Sequence, residues 1–228
     1  ETTLGPQHGV GFGVRDIGGQ ALALATDPVS ILPGLGFERA ARFAVRIVLA
    51  DVAVSGLDPS HLAVGFTLPP NLGDDDFATV WTAIHDECES LGVDIVTGHT
   101  ARYAGCSFPW VGAATALAVG DHEAVVRPDG ARVGDDLVIT TGPAVEAASL
   151  FASLFPAEID CDDDRLASVA AMLDELDVVR DARALAPIDG VTAMHDITEG
   201  GLLGALHEMA AGADAQFRVD SDRVPTDD

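Results

Sequence analysis

Met194-His195-Asp196-Ile197-Thr198-Glu199-Gly200-Gly201-Leu202-Leu203-Gly204-Ala205-Leu206-His207-Glu208-Met209-Ala210 places two acids and two glycines at the start of an amphipathic helix. Leu202, Leu203, Ala205, Leu206 and Met209 recur at helical spacing, which predicts one buried face. Thr198 or Asp196 is positioned to cap the free amides of the first turn. A helix N-terminus carries unsatisfied N–H groups and partial positive charge, and glycine removes the side chain that would keep an anion away. The pattern therefore reads as a phosphate approach. A capped core helix after a turn is the ordinary alternative.

Composition narrows the class. With 228 residues and 48% hydrophobic content the chain can bury one or two cores, and two domains are expected. No apolar run reaches membrane-span length, and no basic-then-apolar leader opens the chain, so a soluble, cytoplasmic protein without membrane contact is expected. Thirty-seven acids against twelve basic residues give a formal charge of -25, and every basic residue is arginine. Concentrated salt screens such self-repulsion, the Debye length being roughly 3 Å at 1 M, so the composition points to a salt-rich cytosol. A nucleic-acid backbone needs a basic surface that this chain cannot assemble. Without lysine, a Walker-type phosphate clamp and Schiff-base chemistry are excluded as well. Any bound polyphosphate would need Mg2+ held by carboxylates. Cys88, Cys106 and Cys161 lie far apart with no metal-ligand spacing and read as idle thiols.

Along the chain, strand-like and helix-like stretches alternate. Residues 21–26 read as a strand ending at Asp27-Pro28, 38–53 as a helix, 62–68 as a strand and 74–91 as a helix stopped by Gly92. Residues 93–97 and 111–119 read as further strands. A Gly-, Pro- and Asp-rich break covers 120–136, and a strand at 137–140 is expected to lead into a helix from 145. Three polar positions interrupt this framework: Thr26-Asp27, Asp51, and Gly98-His99-Thr100 after the strand at 93–97. Asp51 lies in Ile47-Val48-Leu49-Ala50-Asp51-Val52-Ala53, where an acid is costly unless it is paired, metal-bound or turned to solvent. The strands at 21–26, 62–68 and 111–119 are apolar at more positions than a one-sided sheet needs. A second copy of the chain is the simplest cover for the other face.

Five segments together carry a resemblance. Ala25-Thr26-Asp27-Pro28-Val29, Leu49-Ala50-Asp51-Val52-Ala53-Val54-Ser55-Gly56, Leu91-Gly92-Val93-Asp94-Ile95-Val96-Thr97-Gly98-His99-Thr100, Asp135-Asp136-Leu137-Val138-Ile139-Thr140-Thr141-Gly142 and the segment from His195 to Gly204 resemble, in order, the aminoimidazole-ribonucleotide synthetase (PurM-like) superfamily. The acid-Ile-Thr-acid-Gly-Gly segment looks most like the hydrogenase-maturation carbamoyl dehydratases and the archaeal AIR-synthase-related proteins. The resemblance implies a two-domain α/β (α+β) fold. Residues 1–128 would form an N-terminal sheet-plus-helices domain that binds ATP and dimerises, and 129–228 a C-terminal α/β domain, here truncated. It implies ATP and Mg2+ as cofactors, and a small-molecule or carbamoyl-type substrate whose oxygen is phosphorylated. Metal positions map onto Asp27 and Asp51. Nucleotide positions map onto Thr26, Asp27, Gly98, His99, Thr100, Asp196, Glu199, Gly200 and Gly201. No catalytic residue is assigned.

The chain also departs from the family pattern. Relatives carry a Gly-x-Asp-Ala-Ala type segment before the first strand, where this chain reads Gly9-Val10-Gly11-Phe12-Gly13-Val14-Arg15-Asp16, so one expected metal ligand is missing or replaced. His99 stands where relatives have an acid, and neutral imidazole is a poor Mg2+ ligand. The start at Glu1 and the end at Asp228 read as those of a fragment. The leading expectation is an enzyme that activates a carbonyl or carbamoyl oxygen by phosphoryl transfer. A thiamine-monophosphate kinase-like phosphotransferase, whose pattern the segments at 98–100 and 196–201 fit less well, and a non-catalytic ATP-binding or partner-binding module are the alternatives.

Overall fold

The computed structural model describes residues 2–7 and 9–224. Its centre is a six-stranded sheet of β1 (Thr2–Leu4), β2 (Gly13–Ile17), β3 (Gln20–Ser30), β4 (Pro59–Leu68), β5 (Asp94–Arg102) and β6 (Trp110–Gly120). The strand order is β1-β2-β3-β6-β4-β5, with β4 and β5 parallel and every other pair antiparallel. Helices α1 (Phe37–Ala53) and α2 (Asp74–Ser90) cover one face.

Period-2 alternation explains which face is covered. Ala21, Ala23 and Ala25 on β3 and Ala114, Ala116 and Ala118 on β6 are buried, and their small side chains leave room for the Val45, Val48, Leu49 and Val52 side of α1. On β4 the buried residues are larger, namely Leu62, Val64, Phe66 and Leu68, and they meet Val80, Ala83 and Ile84 of α2. Phe66 packs edge-on against Phe77 at 5.3 Å and Trp81 at 6.3 Å between ring centroids. The opposite face stays open, with Thr26, Pro28, Ala113 and Val119 exposed.

Three expectations about elements are corrected. β3 does not stop at Asp27-Pro28 but continues to Ser30, pairing Asp27 with Ala114 and Pro28 with Ala113. β2 has left the ladder by that point, its last partner being Leu24, so the proline occupies an edge where its missing N–H is tolerated. Residues 98–100 are not a loop after a buried strand; they lie within β5, an exposed edge strand. Residues 137–140 form no strand: Leu137 and Val138 are exposed and no neighbouring strand pairs with them.

Beyond residue 128 the described residues form helices α3 (Val145–Leu154), α4 (Asp163–Ala171), α5 (Val178–Leu185) and α6 (Gly201–Gly212), and no strand. Arginines tie α3 to α5, and the turn between α4 and α5, to the first half of the chain. Arg46 donates to Glu87 at 2.6 Å and to the carbonyls of Asp174 at 2.7 Å and Leu176 at 2.8 Å. Arg39 reaches Asp174, Ser153 and the Ala170 carbonyl, and Arg183 reaches Asp58 and the Leu91 carbonyl. The turn before α6 lies beside the C-terminal end of α1, where Asp196 and His195 act on Asp51. No described helix is long and apolar enough to cross a membrane.

Candidate functional site

Asp51 lies in the last turn of α1 and is partly buried, as its apolar sequence context requires. Asp27 lies on the helix-facing side of β3, in phase with Ala23, Ala25 and Val29, and its carboxyl hydrogen-bonds that of Asp51. Two carboxyls so placed oppose each other's ionisation. Burial, then the charges of Asp196 and Asp27, push Asp51 up to about 7, while His195 pulls the other way. Asp27 is raised by burial and by the charges of Asp196 and Glu199, against the bond from Asp51.

The segment from Met194 brings further acids to this pair. Asp196 is 6% exposed, and its Oδ2 accepts a 3.0 Å bond from the Thr198 hydroxyl. The capping role expected for these two residues is therefore corrected: no side chain caps α6, and its N-cap is Gly200 at φ 78. Gly201 follows at φ 59, and this pair of left-handed residues turns the chain sharply into the helix. The first-turn amides of α6 thus lack a side-chain partner, as an anion site requires. Leu203 is exposed, and among the expected buried positions of α6 only Ala205 is fully buried. Glu146, in the first turn of α3, is raised by burial and then by the charge of Asp196.

Two contacts were not anticipated. Gly11 lies so close to the Asp51 carboxylate that a Cβ built on it would overlap both oxygens, and a Cβ on Gly9 would come 2.8 Å from the Cβ of Glu208. The glycine-rich segment before β2 is therefore a strap along the acidic cluster. His195 belongs to the same segment as Asp196. Its Nε2 lies 3.0 Å from Glu208, and its Nδ1 lies 2.7 Å from the Asp196 carbonyl. Alternating glycines at 9, 11 and 13 were the available signal for the strap. Nothing in the local spacing connects His195 with Glu208.

The remaining expected residues lie elsewhere. Thr26, next to Asp27, points to the open face and shares a 2.8 Å hydrogen bond with Thr115. Lateral register runs Asp27, Ala114, Val64, Gly98, so three inter-strand steps of about 4.8 Å separate Asp27 from Gly98. Thr100 is in register with Phe66 on the helix side, whereas His99 is in register with Gly65 on the open side. Asp27, Asp51, Asp196 and Glu199 form one cluster at the start of α6, apart from Gly98, His99, Thr100 and Thr26. Among the described residues no three His, Cys, Asp or Glu side chains are arranged to hold one metal ion. Two hard carboxylate oxygen donors nevertheless suit Mg2+, which takes one or two carboxylates and fills its octahedron with water and phosphate. The three thiols are free, and burial pushes that of Cys88 up to about 12, out of reach of ionisation.

Comparison with known proteins matches residues 11–118 to the N-terminal domain and 132–228 to the C-terminal domain of AIR synthase related proteins. The thiamine-monophosphate kinase of Halobacterium salinarum is 32% identical over 180 residues, which is 79% of this chain and 56% of that protein. The carbamoyl dehydratase HypE of Escherichia coli is 26% identical over 215 residues, 91% of this chain and 60% of that protein. The chain thus spans about half the length of the curated relatives it matches. Among solved structures, a thiamine-monophosphate kinase (AaThiL) complexed with AMPPCP and TMP superposes with TM-score 0.73 at 20% identity, covering 90% of this chain and 65% of that one. The hydrogenase maturation protein HypE in complex with ATP superposes with TM-score 0.69 at 24% identity, covering 87% and 58%.

Proposed function

The chain belongs to the AIR synthase related protein family of the PurM-like superfamily, and from that premise we propose that it binds Mg-ATP and activates a carbonyl or carbamoyl oxygen by phosphoryl transfer. The observation that carries this reading is the carboxyl cluster of Asp27, Asp51 and Asp196 beside the uncapped, diglycine start of α6. Asp27 and Asp51 would hold Mg2+, which would neutralise phosphate charge that no lysine is present to meet. No side chain caps the first turn of α6, where the Gly201 amide is taken by the Thr198 carbonyl at 3.0 Å and the amides that follow would meet a phosphate, and Asp196 and Glu199 border the same turn. Phosphoryl transfer demands mainly positioning and charge neutralisation, which this set of residues can supply.

The domain division at 128/129 and a homodimer through the first domain belong to the same proposal. In a chain with 37 acids, the open-face positions Leu22, Leu24, Thr26, Thr115, Leu117 and Val119 carry none. A face kept free of like charge is suited to meeting its own copy. Thr26 and His99, toward the open face, and Gly98 and Thr100, on the helix side of β5, would then meet the nucleotide away from the metal. Small carbamoyl compounds are the preferred acceptor class, by similarity to carbamoyl dehydratase HypE over 91% of the chain. Thiamine monophosphate is the second reading, favoured by the 32% identity to the Halobacterium kinase.

Calorimetry in molar KCl is expected to show ADP or ATP binding that requires Mg2+ and is lost with Asp51→Asn. ADP release stimulated by an alkyl thiocarbamate, and not by thiamine monophosphate, separates the two acceptor readings. Nucleotide binding that is indifferent to Mg2+ and to Asp51→Asn would remove the acidic pair from the site.

A further inference from the structure

His195 is the group of this cluster that the proposed chemistry leaves unused. Its side chain is 12% exposed and is held at both nitrogens. Nε2 faces a Glu208 carboxylate oxygen at 3.0 Å, and Nδ1 faces the Asp196 carbonyl at 2.7 Å and its Oδ1 at 3.3 Å. All of these are acceptors. A neutral imidazole has a single N–H and would leave one nitrogen lone pair against an acceptor, whereas an imidazolium donates to both sides. The geometry therefore favours the cation. The surroundings act in the same direction: burial alone would lower the group, but the bonds to Asp196 and the contact with Glu208 outweigh it and raise His195 to about 9.

The rest of the chain gives this cation its significance. There is no lysine, and the arginine ion pairs among the described residues go to Asp174, Glu38, Glu87, Asp74, Asp129, Asp181 and Asp58, none of which belongs to the cluster. The electrostatic interactions of Asp51 name one cation, His195, against the acids Asp196 and Asp27. Its anchorage is also built in. Glu208 projects from α6 and packs against Gly9 of the strap, where a side chain larger than hydrogen would collide with it. With both N–H groups engaged, His195 has none left for a ligand. It acts through Asp196, whose other oxygen is fixed by Thr198.

We propose that His195 is a positioning residue of the nucleotide site: an imidazolium braced by Glu208 that orients Asp196 beside the Asp27–Asp51 pair and supplies fixed positive charge toward a polyphosphate. The proposal rests on the Mg-nucleotide reading. Its signature is a selective effect. Loss of the cation weakens binding of the anionic nucleotide, whereas binding of the divalent ion alone is not weakened, because the carboxylates gain net negative charge.

The test uses His195→Gln, Glu208→Gln and the double variant in molar KCl, with Mg-ADP affinity by calorimetry and Mn2+ affinity without nucleotide by electron spin resonance. Each single variant is expected to lose about tenfold in Mg-ADP affinity, with Mn2+ affinity unchanged or higher. The double variant should be no weaker than His195→Gln, since the two residues act as one unit. Imidazole NMR of the nitrogen-labelled wild type should show both ring nitrogens protonated at neutral pH, with Glu208→Gln moving the Nε2 resonance most. Wild-type Mg-ADP affinity in His195→Gln, equal losses of Mg-ADP and Mn2+ binding, or a singly protonated ring would each overturn the proposal. Failure of the wild-type chain itself to bind Mg-ADP would instead overturn the functional reading on which the proposal rests.

Discussion

Replacing Asp51 by asparagine should make the protein more stable while removing its proposed metal. Folding raises the Asp51 carboxyl from an ordinary 3.8 to about 7, with burial the leading cause. The sign follows from proton uptake. Between these two values the native state binds more protons than the unfolded chain, so stability falls as pH rises from about 4 to about 7 and is level above that. At pH 8 the ionised group then costs roughly 4 kcal/mol relative to the unfolded chain. That figure is an upper bound, because Asp27 is raised along with Asp51 and salt screens the neighbouring charges. Asparagine matches the shape, keeps a hydrogen bond to Asp27 and carries no charge, so Asp51→Asn should gain about 1–4 kcal/mol at pH 8. For a chain of this size that is a rise of several degrees in Tm. The gain should shrink toward zero as pH falls to 4. Circular-dichroism melts in molar KCl at a series of pH values measure it directly. A variant less stable than wild type at pH 8, or a gain independent of pH between 4 and 8, would refute the placement of Asp51 as a strained, partly buried acid.

Gly11→Ala puts a methyl group into the Asp51 carboxylate, so it should destabilise by about 1–3 kcal/mol and weaken Mg-dependent nucleotide binding; unchanged melting and binding would show that the strap does not press on the site. Arg46→Met strands the buried Glu87 and two carbonyls, for an expected loss of about 3–5 kcal/mol. Arg42→Met breaks only an exposed pair with Glu38 and should stay within about 0.5 kcal/mol; similar costs for the two variants would remove the distinction. With a net charge of -25, Tm should fall steadily as KCl is lowered from molar concentration, and a flat dependence would contradict the reading of the composition. Light scattering in high salt should report a dimer that Leu24→Glu dissociates, since Leu24 lies opposite Leu117 on the open face; a wild-type monomer at micromolar concentration would end that proposal.

The elements that could be read from sequence are those whose burial is set locally. α1, α2 and β4 carry their periodicity in their own residues, and each formed close to its expected bounds. β5 was misread at Gly98-His99-Thr100 because an edge strand is exposed on most of its positions, so it lacks the apolar alternation that marks a strand. The reverse error occurred at Leu137-Val138-Ile139-Thr140, where an apolar run suggested a strand. A strand requires a neighbour to pair with, a non-local condition that is not met among the described residues. β2 was missed for a related reason, since only Val14 is fully buried along its length.

At the site the same divide separates Asp51 from Gly11 and His195. An acid inside an apolar helical run announces its cost in the sequence, and the structure places it against Asp27. The contacts of Gly11 with Asp51 and of Gly9 with Glu208 join segments distant in sequence, and a glycine chosen because nothing else fits looks like any loop glycine. Charge composition shows how these residues depend on one another. Arg39, Arg46 and Arg183 are held in ties that fasten helices, and among the described residues His195 is the cation that acts on Asp51. A single imidazolium does not offset Asp27, Asp51, Asp196 and Glu199 together with a polyphosphate, and the proposed divalent ion would meet that deficit. A monovalent salt cannot substitute, because it lowers every charge interaction over the Debye length without occupying the space between two carboxylates and a phosphate. Raising KCl should therefore stabilise the fold and leave the Mg2+ requirement of nucleotide binding intact. If molar KCl alone supported tight nucleotide binding, the carboxyl pair would have no metal to hold and its strained burial would have no function to explain it.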